Sequence, residues 1–275
     1  MPALFDSLVN LSPKNHIKSY NFGIDEMLPL ESFTFYKSLL EDDSLSFKNV
    51  VMELDFLQTG GNDNVFTWRG YYWLQPDTYV EYTQSLFSSK FDFMSKAFNF
   101  SVLNIKAAEK ALNLSKFNEF VTYKKENSAS VASAPAMSAD GFSPLYSTKP
   151  FTADELQRIS DVKNASSIAV SNYDKWSSEQ INKAFVSDLT QIIELSHKKG
   201  IRLIFLVPCQ WNVNQYRELF PVLNTIPHKD RILLFSCKDY APLFAPENLF
   251  DESHVNHTGA RLFTTYLSQE FKKIN

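Results

Sequence analysis

This sequence predicts an α/β fold with a mostly parallel sheet in a three-layer α/β/α arrangement, and three observations carry that reading. Apolar strand-like runs alternate with amphipathic helical segments towards both ends of the chain. The runs VVMEL at 50–54 and IRLIFLV at 201–207 are almost continuously apolar, as in strands covered by helices on both faces. Hydrophobic residues make up 44% and charged residues 21% of 275 residues, an ordinary balance for a chain that buries a sizeable core. The whole, 1–275, reads as one domain carrying a largely helical, aromatic-rich insertion at about 58–170.

Residues 2–11 place Leu4, Phe5, Leu8 and Val9 on one helical face. Residues 17–22 (IKSYNF) read as a strand ending at Gly23. Pro29 opens a helix to about Leu40, because proline suits a first helical turn. FKNVVMELDFL at 47–57 reads as a strand buried on both faces. Then the rhythm breaks. TGGNDN has turn composition, the segment from Trp68 to Tyr82 is aromatic without a period, 82–120 is mostly helical, and 127–141 is a low-complexity loop. Alternation returns at 178–199, with Ile181, Phe185, Leu189, Ile192 and Ile193 on one helical face. Lys198, Lys199 and Gly200 stop that helix, since cations favour its carbonyl end and glycine tolerates the left-handed cap. The strand at 201–207 ends at Pro208. A helix at 212–224, a strand at 231–236 (RILLFS) and a helix at 258–272 follow, the last turning Phe263, Tyr266, Leu267 and Phe271 inward.

Net charge is −4 and no basic run occurs, so a nucleic-acid partner is not expected. No apolar run nears the roughly 18 residues of a membrane span, and the first residues lack a signal-peptide pattern. The chain reads as soluble as given, compatible with a longer bacterial parent that is exported or membrane-anchored. Cys209 and Cys237 follow two strands at similar points and read as neighbouring buried thiols, with no disulfide scaffold or zinc site. The 24 Phe, 12 Tyr and 4 Trp supply core, with some left over for an aromatic groove.

In parallel α/β sheets ligands sit beyond the carboxyl ends of the strands, which directs attention to the loops after residues 22, 57, 207 and 236. The strongest signal is FDESHVNHTGARLFTTYL at 250–267. Asp251 and His254 are three apart, after the last strand and just before the last helix. A carboxylate there can hold one imidazole nitrogen while the other accepts a proton from a nucleophile. The plainer reading makes Asp251 a cap and His254 a surface residue. His257 competes, but six residues from Asp251 is a less natural spacing for a short turn.

Asp-x-x-His ahead of the last helix resembles the final block of SGNH/GDSL hydrolases. SYNFGIDE at 19–26 resembles their second block, which implies Gly23 as a backbone oxyanion donor with Asn21 beside it. GGND at 60–63 resembles their third block, which implies the Asn62 side chain as a second donor, next to Gly60 and Asp63. Such donors are typically worth about 3 kcal/mol each. DFLQT intervenes between VVMEL and that block, and GGND is also ordinary turn chemistry, so donor and loop remain alternatives for Asn62. Asp55, at the end of the strand, is a further active-site candidate.

The family's first block is a strand, then Gly-Asp-Ser or Gly-Ser-Ser, then a helix, with Ser as the nucleophile. Phe5-Asp6-Ser7-Leu8 matches it by letter. Only six residues precede Ser7, too few for a buried strand and turn, and Ser7 lies inside an amphipathic helical pattern. Residues 2–11 instead read as the helix that follows the serine turn, which places the expected serine block upstream of Met1, as in membrane-anchored bacterial members with a Gly-Ser-Ser start. The resemblance covers about 1–57 and 178–275. Within the insertion, Arg69 lies among Trp68, Tyr71, Tyr72 and Trp73. It reads either as a clamp with Tyr72 on a sugar or acidic group, or as packing.

The resemblance implies an ester hydrolase or acyl-transfer enzyme acting on an acyl substrate such as an O-acetyl carbohydrate, with no metal or organic cofactor. The alternative is a catalytically inactive protein of the same fold that binds a glycan or a protein. A flavodoxin-like nucleotide-binding sheet has little support, since the chain has 7 Gly and no glycine-rich phosphate loop after a strand.

Overall fold

The computed structural model describes residues 1–10, 16–23, 27, 29–54, 70, 74–88, 91–112, 138–146, 150–179, 181, 183–210, 212–252 and 254–275. Within them the fold is mixed α/β with a small parallel sheet. In chain order the elements are α1 (Pro2–Val9), α2 (Pro29–Glu41), β1 (Asn49–Glu53), α3 (Pro76–Ser88), α4 (Phe93–Ala111), α5 (Ala153–Ser177), α6 (Lys183–Lys198), β2 (Arg202–Val207), α7 (Val213–Leu223), β3 (Arg231–Leu233) and α8 (His257–Ile274). Short 3₁₀ turns at His228–Asp230, Ala241–Phe244 and Pro246–Asn248 complete the C-terminal part.

The sheet order is β1-β2-β3, all parallel. Val50 pairs with Leu203, Met52 with Phe205, Leu206 with Ile232 and Val207 with Leu233. Side chains alternate across the pleat, so the two faces build separate cores. Met52, Leu54, Leu203, Phe205 and Val207 join α2, α5, α6 and α7 in the larger cluster. Ile204, Leu206, Ile232 and Leu234 meet Phe5 and Val9 of α1 and Phe271 of α8. A satellite cluster of Leu74, Tyr82, Leu86 and Leu103 holds α3 against α4.

Three expectations are corrected. β1 is not buried on both faces. Val51 and Glu53 are exposed on the face where α1 and α8 cover β2 and β3, so only its Met52 side is sealed. Residues 17–22 belong to no strand among the described residues. The amides of Ile17, Ser19 and Asn21 donate instead to Asn10 Oδ1, Asp6 Oδ2 and the Asp140 carbonyl. The third concerns α5, which runs across residue 170, where the insertion was expected to end. Thr152 and Glu155 form a reciprocal capping box at its start. The buried residues of α5 are Ile159, Ala165, Ser166, Ala169 and Trp176, and the small ones in the middle interrupt the large apolar residues that mark a helix in sequence. Ser166 donates to the Phe235 carbonyl and accepts from the Cys237 amide, tying α5 to the chain beyond β3.

The remaining elements match their expected types, with ends shifted by a few residues. Gly200 adopts φ +70° just past α6, and its amide bonds the His197 carbonyl, as a glycine stop should.

Candidate functional site

Arg202 at the start of β2 donates to the Ile274 carbonyl at the end of α8, so α8 begins, with the Asp251–His254 turn just before it, towards the end where β2 terminates. Leu249 and Val255 form an antiparallel bridge that closes the turn. The Phe250 amide donates to the His254 carbonyl at 2.7 Å, and the His254 amide donates to Asp251 Oδ1 at 2.7 Å. His254 Nδ1 lies 2.8 and 2.9 Å from the two Asp251 oxygens. This geometry favours the tautomer with its proton on Nδ1, which makes Nε2 the basic nitrogen. The His254 side chain is 49% exposed, so a reactant can reach it from solvent.

Asn256 fixes the turn to α8. Its Oδ1 caps the helix by accepting from the Gly259 amide, while its Nδ2 donates to the Glu247 and Leu249 carbonyls. Gly259 is required by close approach, since a Cβ there would sit 2.0 Å from the Asn248 carbonyl oxygen. On the other side, Arg158 of α5 holds Glu252 at 2.5 Å, and Glu155 is close enough for the Asp251 charge to oppose its ionisation. Hydrogen bonds from Thr152 nevertheless keep the Glu155 carboxyl below its ordinary range.

A second group of predicted residues gathers around the start of α1. The Met1 ammonium donates to Thr264 of α8, and burial lowers its affinity for the proton. The segment 138–146 straps this region to the dyad helix. Asp140 accepts from the Ala3 amide through its carboxylate and from the Asn21 amide through its carbonyl. Five residues on, the Leu145 carbonyl accepts from the His257 amide. His257 also stacks on Tyr146, with ring centroids 5.6 Å apart. Gly141 has φ +81°, and a Cβ there would meet the Asn21 carbonyl oxygen at 2.1 Å.

Two residues do not take the places the sequence suggested. Ser7 is exposed on α1, and its hydroxyl donates to the Leu4 carbonyl at 2.7 Å. Met1 touches Thr264 and Phe5 touches Phe271, so α1 runs alongside α8 in the same direction, away from its His257 end. The stretch from His257 to Phe271 is about 20 Å of helix, and Ser7 lies beyond Phe5, at the far end. Ser7 is therefore set well away from the His254 end of α8. Gly23 is exposed, and its amide donates to Asn21 Oδ1 at 3.0 Å, so in this geometry it points at a neighbouring side chain. Asp55, Asn62, Arg69 and Tyr72 lie outside the described residues.

The cysteines are the neighbours their positions predicted. Cys209 donates to the Phe235 carbonyl and Cys237 to the Lys163 carbonyl, both as free thiols. Burial pushes the Cys209 thiol up to about 12, which keeps it inert as a nucleophile. Among the described residues no group of three or more His, Cys, Asp and Glu is placed to hold a metal ion, and no helix is long and apolar enough to cross a membrane. The sequence reading missed Arg158, Glu155 and the strap. The T-x-x-E capping signature at 152–155 was the available signal for the helix that carries the first two.

Comparison with protein-family models, curated proteins and solved structures finds no match to this chain.

Proposed function

We propose that this chain is the body of an SGNH-type ester hydrolase or acyl-transfer enzyme with a three-layer α/β/α fold. The carrying observation is the Asp251–His254 pair, with Nδ1 held at 2.8 Å by a carboxylate at the carboxyl end of a parallel sheet. His254 acts as general base on a serine hydroxyl presented near the N-terminal end of α1, and Asp251 steadies the imidazolium that forms. The serine then attacks an acyl ester, of which an O-acetylated carbohydrate is the favoured class. Separate cores on the two sheet faces support the layering, and the strap supports a shared site for the α1 start and the dyad helix.

A second reading has its own support. Ser7 is turned away and the Gly23 amide is engaged by Asn21, as suits a non-catalytic binding protein on the same fold. Hydrolysis of p-nitrophenyl acetate separates the two, measured on the chain as given and on a form extended upstream. On the first reading His254→Ala lowers the rate about 10²–10⁴-fold in whichever form is active, while Ser7→Ala leaves it unchanged. Activity that survives His254→Ala, or no turnover by either form, rejects the catalytic reading.

A further inference from the structure

The outward face of α4 is a largely apolar seam that runs on to Leu112 just past its end. Met94, Phe98, Ser101, Ile105, Ala108 and Leu112 follow one another at alternating spacings of four and three, the period of a coiled-coil contact line. All six are exposed, with Met94 at 73%, Phe98 at 62%, Ile105 at 57% and Leu112 at 68%. The opposite face holds the hairpin together. Leu103 is fully buried against α3, and Lys96 and Lys110 donate to the Phe87 and Leu74 carbonyls.

We propose that this seam is a homodimer interface in which α4 packs antiparallel against α4 of a second copy, about a two-fold axis level with Leu103. Three features of the seam select a second copy.

The first is self-complementarity. An antiparallel pairing about residue 103 sets Phe98 opposite Ala108, Ile105 opposite Ser101, and Met94 opposite Leu112. Each bulky side chain meets a small one, or a flexible one at the ends, which is the interdigitation a helix pair needs. The second is charge. No seam residue is charged, and the flanking positions are Ser95, Ala97, Val102, Asn104, Glu109 and Ala111. In this register Glu109 faces Ala97, so no like charges meet. The third is area. With Phe93 beside the seam at 80% exposure, the large side chains present on the order of 700 Å² of apolar surface. That exceeds the roughly 300–600 Å² of the largest patch on a typical monomer and approaches the ~800 Å² each partner contributes to a standard interface. A membrane surface fits less well, because interfacial helices flank their apolar face with outward cations. Here Lys96 and Lys110 bond carbonyls within the hairpin, and Lys106 pairs with Glu109.

This inference is independent of the catalytic reading. Its test is sedimentation velocity and light scattering on the purified chain from about 1 to 200 µM, with helix content followed by circular dichroism. The expected result is a concentration-dependent dimer. Ile105→Glu, at an exposed position, weakens it at least ~30-fold with helix content unchanged. Phe98→Ala and Ala108→Phe each weaken it, and the double variant recovers to within a few-fold, because the bulky and small positions have only exchanged across the axis. Four results overturn the proposal. One is a wild-type chain that stays monomeric to 200 µM. Another is a dimer indifferent to Ile105→Glu, or a double variant no better than the worse single one. The last is a monomer that binds phosphatidylcholine–phosphatidylserine vesicles through Ile105, which assigns the seam to a membrane surface.

Discussion

The C-terminal stretch from α6 to α8 and the hairpin of α3 and α4 are both built from amphipathic segments, yet they bury their residues differently. In the first, β2 sends Leu203, Phe205 and Val207 to one core and Ile204 and Leu206 to the other, so every second residue is sealed on one side or the other. Among the described residues the hairpin has one core cluster, of Leu74, Tyr82, Leu86 and Leu103, and it leaves the far side of α4 exposed. A central strand thus couples both cores to one cooperative unit. A hairpin attached along one side carries its own stability and leaves a face for another use.

The sharpest way to break this contrast is to hollow out each part in turn. Phe205→Ala removes a fully buried ring from the middle strand and is expected to cost about 3–5 kcal/mol, lowering the main thermal transition. Leu103→Ala, equally buried, is expected to cost about 2–4 kcal/mol, but within the hairpin. Hydrogen exchange then quickens in α3 and α4 while β2 keeps its protection. Equal loss of protection in β2 and α4 for both variants would show that the two parts fold as one.

A smaller effect sharpens how the hairpin is attached. Lys37 of α2 holds Glu81 of α3 at 2.7 Å, and Asp188 of α6 faces both. Burial first, then the Glu81 charge, raises the Asp188 carboxyl from an ordinary 3.8 to about 6, against the opposing pull of Lys37. Between those values the folded chain keeps a proton that the unfolded chain has released. Stability therefore falls as pH rises from about 4 to 6, and the full cost remains above 6. Asp188 is half-buried, so solvent screening reduces that cost to about 1–2 kcal/mol. Asp188→Asn is expected to stabilise the protein by that amount at pH 7–8 and to flatten the slope between pH 4 and 6 in denaturant titrations. An unchanged slope would show that Asp188 ionises without penalty.

The same contrast explains what was legible beforehand. Elements of the C-terminal stretch announce themselves because burial on alternating or helical faces writes large apolar residues into the sequence at regular spacing. Asp251 and His254 were legible because their contact is made inside one turn, three residues apart. Gly23 and Ser7 were not, because an oxyanion donor or nucleophile is defined by where distant segments place it. The Gly23 amide was claimed by a neighbouring side chain, and Ser7 lies at the wrong end of a helix that runs away from the site. α5 escaped notice because small residues (Ala165, Ser166, Ala169) occupy the middle of its buried face and separate Ile159 from Trp176, whose ring, with that of Tyr173, meets Phe220 of α7. The strap at 138–146 acts largely through backbone carbonyls at Asp140 and Leu145, which carry no side-chain signature, beside one bond to the Asp140 carboxylate.

The smallest effect concerns the turn that carries the dyad. Arg158 is 56% exposed where it meets Glu252, and exposed ion pairs contribute at most about 1 kcal/mol. Arg158→Ala is thus expected to leave the main unfolding transition almost unmoved. Its effect is local, because Glu252 sits inside the Asp251–His254 turn and α5 reaches that turn through this ion pair. The Phe250 and Asp251 amides both donate to the His254 carbonyl, at 2.7 and 3.4 Å, and they report whether the turn stays closed. Losing up to ~1 kcal/mol of local support speeds their hydrogen exchange by up to about fivefold, while the β2 amides are unaffected. A global loss above ~2 kcal/mol would place the turn inside the cooperative core. Unchanged exchange at Phe250 would mean that the Leu249–Val255 bridge and the Asn256 cap hold the dyad without help from α5.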